Sequence, residues 1–186
     1  MDEQTIILYR EILERFNKII WTHKIHLCQA NIYLTRKKKQ NTTLAILSVL
    51  VSASAITNIF KWLPENIIVP SIALLALTLT YFTTKYKSEN LENKAADNER
   101  FAAIMHDLRN RYAGFLSDIK AGLYTKEQIS EKRIQLEQIE NIVYSGLVPY
   151  TSSDAVSKAS EALKNKQEST TTDEEIAQMV SSNLQV

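Results

Sequence analysis

The sequence predicts an all-α membrane protein: a transmembrane helical hairpin whose long cytoplasmic helical arms form a bundle. Three observations predict it. No charged residue occurs from Gln40 to Phe60, and none from Asn66 to Thr84. As a helix rising about 1.5 Å per residue, a run of about 20 residues spans about 30 Å, the thickness of a bilayer's hydrocarbon core. Outside these runs apolar residues recur three and four apart, the helical period. With 3 Gly and 3 Pro in 186 residues, breakers are scarce and long helices are favoured. The expected organisation is an N-terminal cytoplasmic helix over 1–39, a two-helix transmembrane hairpin over 40–87, C-terminal cytoplasmic helices over 88–149 and a polar, mobile tail over 150–186.

In the first arm, Ile6, Tyr9, Leu13, Phe16, Ile20, His23, Leu27, Ala30 and Leu34 alternate three and four apart. That is a heptad seam, and Leu13, Phe16, Ile20 and Leu27 are its candidate oligomerisation residues. Ile12, Ile19, His26 and Tyr33 form a second stripe seven apart, which predicts neighbours on two sides. No breaker separates this arm from the first uncharged run, so one continuous helix is expected.

A backbone in lipid must satisfy its own hydrogen bonds, so both uncharged runs are expected to be helical. Pro64 falls in the short connection, where a missing N–H is harmless. Arg36, Lys37, Lys38 and Lys39 precede the first run, and Lys85 and Lys87 follow the second. This asymmetry places both termini in the cytoplasm and the turn outside. Ala45, Ser48, Ser52 and Ala55, and Ala73, Ala76, Thr80 and Thr83, give each run a small-residue stripe suited to close helix contact. Ser54, Thr57, Asn58 and Lys61 form a polar line suited to a lumen or equally to hydrogen bonds between helices, with Leu47, Leu50 and Val51 as an apolar constriction inward of it. The bland alternative is a buried hairpin in a soluble protein, where uncharged runs of this length are rare.

In the second arm, Phe101, Met105, Leu108, Tyr112, Phe115 and Ile119 keep helical spacing until Gly122 breaks it. Thr125 with Gln128 forms a capping box opening a further helix, whose apolar face is Ile129, Leu136, Ile139 and Val143. Gly146 and Pro149 stop it. After Tyr150 the chain turns to Ser, Thr, Lys and Glu. Thr172 with Glu175 is a weaker second capping box.

Enzyme chemistry is not expected. Gly114, Gly122 and Gly146 are isolated, so no glycine-rich loop cradles a phosphate. His23 and His26 lack companion carboxylates or thiolates, so neither a metal nor another cofactor is expected, and a polar seam position or an anion contact is the better reading. The single Cys28 excludes an internal disulfide. No cleavable signal peptide is read, because the first residues are acidic and polar. Arg100, His106, Arg109 and Arg111 are the candidate ligand-binding groups, since interleaved basic and aromatic residues can meet phosphates; the alternative is a solvated helix face balanced by Glu99, Asp107 and Asp118.

The layout of a long helix with His26, Ala30 and Leu34, a basic cluster from Arg36 to Lys39, two closely spaced transmembrane helices and a helical cytoplasmic region resembles the SLATT domain. This is the two-transmembrane effector class of bacterial conflict systems. The resemblance covers roughly residues 5–148. It implies a pore-forming effector of an anti-phage defence system in the bacterial inner membrane. It further implies gating by a nucleotide or oligonucleotide made by a partner nucleotidyltransferase. Two spans cannot enclose water, so a homo-oligomer, tetramer or larger, is expected. The alternatives are a membrane-anchored coiled-coil scaffold without a pore, or a holin-like lysis protein.

Overall fold

The structure, a computed structural model, describes residues 3–59 and 64–164, with side chains described for 3–56 and 64–164. The described residues form five helices and no strand: α1 (Glu3–Ile59), α2 (Glu65–Glu89), α3 (Leu91–Lys120), α4 (Lys126–Ser145) and α5 (Ser153–Lys164). They divide into two compact units, one holding the chain up to Ala30 and from Ala96 onward, the other Asn31–Ala95. As expected from its lack of breakers, α1 continues from the first arm into the first uncharged run.

In the first unit one apolar core takes residues from four helices. Ile12, Phe16, Ile19 and Ile20 come from α1, and Phe101, Met105, Leu108, Tyr112, Phe115, Leu116 and Ile119 from α3. Ile129 and Leu136 come from α4, and Leu163 from α5. On α1 the stripe seven apart is the buried one. Ile12, Ile19, His26 and Tyr33 are all buried, and the same spacing extends to Thr5 and Gln40. On α3, Leu91, Asn98, Met105, Tyr112 and Ile119 repeat it. A seven-residue repeat is the spacing at which side chains of two helices interlock knobs-into-holes. Of the other α1 seam, Phe16, Ile20 and Ala30 are buried, while Ile6 and Leu34 are exposed.

At the end of α3, Gly122 sits at φ +71. Leu123 N–H reaches the Asp118 carbonyl at 3.1 Å and Gly122 N–H the Ile119 carbonyl at 3.0 Å. This is a Schellman cap, whose left-handed residue is cheapest as glycine. The predicted capping box opens α4: the Thr125 hydroxyl accepts from Gln128 N–H, and the Gln128 side chain accepts from Thr125 N–H at 2.8 Å. Gly146 follows α4 with φ −74, an extended conformation rather than a left-handed one.

The region read as a mobile tail begins with a helix. α5 buries Ala155, Ala159, Ala162 and Leu163, and its alanines, three and four apart, let a short polar helix lie close against its neighbours. The Ser152 hydroxyl caps it at Ala155 N–H, 3.3 Å away. Gln29 on α1 accepts from both Ser152 N–H (2.7 Å) and its Oγ (2.8 Å), which ties the start of α5 to α1. The second capping box, Thr172 with Glu175, lies outside the described residues.

In the second unit α1 and α2 run antiparallel. Gln40 Nε2 donates to Glu89 Oε2 at 2.6 Å, Lys37 lies 3.8 Å from Glu92, and Tyr33, Leu91 and Ala95 form a small apolar cluster. Pro64 is the N-cap of α2, and Asn90, left-handed at φ 48 and ψ 42, ends it. The reading of one arm from residue 88 did not include that break. Asn is among the few side chains that tolerate this conformation. Covered positions include Gln40, Leu44, Leu47, Val51 and Ser54 on α1 and Ile68, Ile72, Leu75, Leu79, Phe82 and Tyr86 on α2, with the smaller Thr43, Ala76 and Thr78 beside them. These spacings alternate three and four, so the bulky side chains interlock. The small-residue stripes expected to make the helix contacts are mostly outside: Ala45, Ser48, Ser52, Ala55, Ala73, Thr80 and Thr83 are exposed, and Ala76 is half-buried. The hydroxyls of Ser52, Thr80 and Thr83 bond the helix's own carbonyls, as Ser52 Oγ does to Ser48 O at 3.0 Å and Thr80 Oγ1 to Ala76 O at 2.9 Å. A hydroxyl satisfied this way needs no water.

Candidate functional site

The four predicted ligand-binding residues all lie on α3, and the fold separates them. Arg100 and Arg111 are eleven residues apart, about three turns, and share an outer face. Each pairs with an acid on its own helix, Arg100 with Asp97 at 3.9 Å and Arg111 with Asp107 at 2.8 Å. His106 and Arg109 point elsewhere, toward α1. The His106 ring lies 5.5 Å from that of His23, centroid to centroid. Burial, with the positive charges of His106, Arg109 and Lys24 around it, pushes the His23 imidazole down to about 4. Basic groups held this close repel one another, and an anion between them relieves the repulsion.

His26, one turn further along, has a different task. Its Nδ1 donates to Asn98 Oδ1 at 2.8 Å, and its ring rests 4.4 Å from Phe101. Both partners of this hydrogen bond are buried, and burial keeps the imidazole below its ordinary value. A satisfied polar pair inside an apolar seam sets register, because any slip strands two buried polar groups. Among the described residues no three His, Cys, Asp or Glu gather as metal ligands.

The His23 shift has a sign that can be measured. The unfolded chain takes up a proton near pH 6.5, whereas folded His23 resists it until about pH 4. Between those limits the unfolded state binds more protons, so stability falls as pH falls. The full shift corresponds to about 3 kcal/mol, and solvent access at this half-buried site reduces the expected loss to about 1–2 kcal/mol. In melting curves from about pH 7 down to pH 4, His23→Gln is expected to flatten the decline. An identical decline in that variant would show that His23 does not titrate this way.

A second polar cluster ties α1, α3 and α4. Arg15 bridges Glu137 and Glu140, both at 3.2 Å, and buried Tyr112 donates to Glu140 at 3.1 Å. Arg133 reaches Glu11 and lies 3.7 Å from Glu137. Two arginines here meet three glutamates, so the cluster has no spare cation for an anionic ligand and is a clasp between helices.

Between α3 and α4 lies an open groove of about 390 Å³. Phe115, Leu136 and Ile139 form its apolar wall, and Tyr124 stands edge-on to Phe115 at 5.7 Å. Asn110, Arg111, Lys132, Gln135 and Asp118 supply its polar groups. Of the predicted ligand residues only Arg111 lines it. Sequence spacing missed Lys132 and Gln135, because they sit on another helix and face the groove only once α4 packs back.

Among the candidate pore residues, Leu47, Val51 and Ser54 occupy the half-buried stripe of α1 in the second unit. Ser54 Oγ donates to the Leu50 carbonyl at 2.8 Å. The side chains of Thr57 and Asn58, and Lys61 altogether, lie outside the described residues. Of the candidate oligomerisation residues, Phe16 and Ile20 fill the chain's own core, Leu13 packs against it partly buried, and Leu27 is half-buried. The stretch Glu65–Lys120 contains a window of mean hydropathy 1.8 with only 6 % of it buried. Its uncharged part is 66–84, in α2, where Ile67, Val69, Leu74, Leu77 and Tyr81 are exposed.

Residues 8–175 match the model of the SMODS and SLOG-associating 2TM effector domain family 4. The chain belongs to the SLATT family. The match covers the α1–α2 pair and the helices of both units, and it extends past α5. Two-transmembrane effector is the family's own description, and the exposed apolar face of α2 is the feature that agrees with it. No curated protein and no solved structure matches this SLATT chain.

Proposed function

We propose that this SLATT protein is a pore-forming effector of an anti-phage defence system. It sits in the bacterial inner membrane with both termini in the cytoplasm, and four or more copies of the α1–α2 pair enclose the lumen. The observation that carries this reading is the uncharged, exposed apolar surface of α2, which in water would be an unusually large apolar patch. Membership of an effector family described as SMODS- and SLOG-associating supports control by a nucleotide or oligonucleotide from a partner nucleotidyltransferase.

In the closed state Leu47 and Val51 are covered by α2 and keep the lumen dry. Opening parts the pair along this stripe and exposes Ser54, with Thr57, Asn58 and Lys61 toward the outer mouth. Neither span carries a charge inside, so discrimination among small ions is poor. The test is ion flux from liposomes holding the purified protein. Wild type is expected to conduct once its signal is bound, and Leu47→Ser to leak without it. Silence of both, with protein inserted and folded, would remove the pore and leave the scaffold.

A further inference from the structure

We propose that the groove between α3 and α4 is a binding site for a nucleoside monophosphate unit. This rests on the reading above that the helical region takes a phosphate-bearing ligand, and it relocates that ligand from a basic face to an open groove between two helices. The volume, about 390 Å³, falls in the range of small-molecule sites, and the lining sets one apolar wall against five polar or charged side chains, a more polar site than most. Phe115, Tyr124 and Ile139 offer apolar surface for a base, with the two rings edge to face. Asn110 and Gln135 present carboxamides that have no hydrogen-bond partner among the described residues, suited to donors and acceptors on a base edge. Arg111 and Lys132 stand on opposite helices. Lys132 has no ion-pair partner among the described residues, and together they can hold a phosphate. Asp118, which accepts from the Tyr124 hydroxyl at 3.3 Å, is placed to take a sugar hydroxyl.

Gly114 is an independent pointer. It lies inside α3, where glycine costs about 1 kcal/mol relative to alanine. No positive φ requires it, and a Cβ there would meet nothing within 4 Å. Neither backbone nor packing accounts for this glycine. An open wall for a ligand does, since any side chain at 114 would project into the groove.

The experiment is equilibrium dialysis of radiolabelled AMP, GMP, CMP and UMP against the full-length protein in nanodiscs. Gly114→Leu adds a side chain whose Cβ meets nothing within 4 Å, and it improves helix propensity. It is expected to weaken binding of the preferred nucleotide at least tenfold while the melting temperature holds or rises. Arg111→Gln and Lys132→Gln are each expected to weaken it roughly fivefold and to reduce its dependence on salt. Inorganic phosphate and the bare nucleoside, each alone, should compete poorly. Binding unchanged in Gly114→Leu, competition by phosphate equal to that by the nucleotide, or no binding of any of the four would each overturn the proposal. Ion flux is read separately in liposomes. Nucleotide binding without flux would remove the pore and keep the groove, and flux without nucleotide binding would do the reverse.

Discussion

Leu77→Arg is expected to remove the protein from the membrane fraction. Leu77 lies within the uncharged run of α2 and is 69 % exposed. An arginine near the centre of a spanning helix costs about 2.5–3.5 kcal/mol on insertion scales, and the leucine it replaces contributes about 0.5 kcal/mol in the other direction. On a surface facing water the same change is worth within about 0.5 kcal/mol, and it shrinks an apolar patch. The two readings of α2 therefore predict opposite outcomes. Carbonate extraction of membranes from expressing cells measures which one holds. Loss of the carbonate-resistant fraction, deeper still with Leu74→Arg added, is the expected result. A resistant fraction equal to wild type would show that α2 does not face lipid.

Phe16→Asp is expected to unfold the first unit rather than merely separate copies. Phe16 is buried beside Ile12, Ile19 and Ile20 in a core shared with α3, α4 and α5. Truncating a buried phenylalanine costs about 3–5 kcal/mol, and an unpaired carboxylate in its place adds several more. The sum is on the order of a domain's entire stability. Ile6→Asp lies on the same helix at an exposed position and is expected to change stability by no more than about 0.5 kcal/mol. Circular dichroism and urea titration of the two variants give the comparison. A well-folded Phe16→Asp protein of smaller mass by light scattering would instead place this seam between copies.

The α1 pattern shows why part of this was legible and part was not. Spacing revealed two stripes on the first arm, because a helix's period is written directly in its apolar residues. Which stripe meets which neighbour is not written there. Phe16 and Ile20 read as contacts with another copy, and the packed fold sets them in the chain's own core beside α3. The polar seam position was read at His23, and His26 was visible as a member of the second stripe. Its partner Asn98 was not, because the two are 72 positions apart and meet only when α3 returns alongside α1. The α1–α2 contact failed differently. Small residues mark close approach in membranes, yet in this pair Leu47, Val51, Leu75 and Leu79 are the covered positions and the small stripes stay outside.

What the sequence determined alone is whatever depends on neighbours along the chain. The helical character of each segment, the unbroken α1, the capping box at Thr125, the glycine stop at 122 and the two uncharged runs are all of this kind. Each rests on backbone conformation or on desolvation, and each is settled within a turn or two. Tertiary structure decided everything that requires distant segments to meet. It buried α5 by tying Ser152 to Gln29, set His106 and Arg109 against His23 while turning Arg100 and Arg111 away, and opened a groove where Gly114 and Arg111 of α3 face Lys132 and Gln135 of α4. The physical reason is that helical spacing specifies which side of a segment must be covered, whereas the identity of the cover depends on how loops and caps bring the segments together.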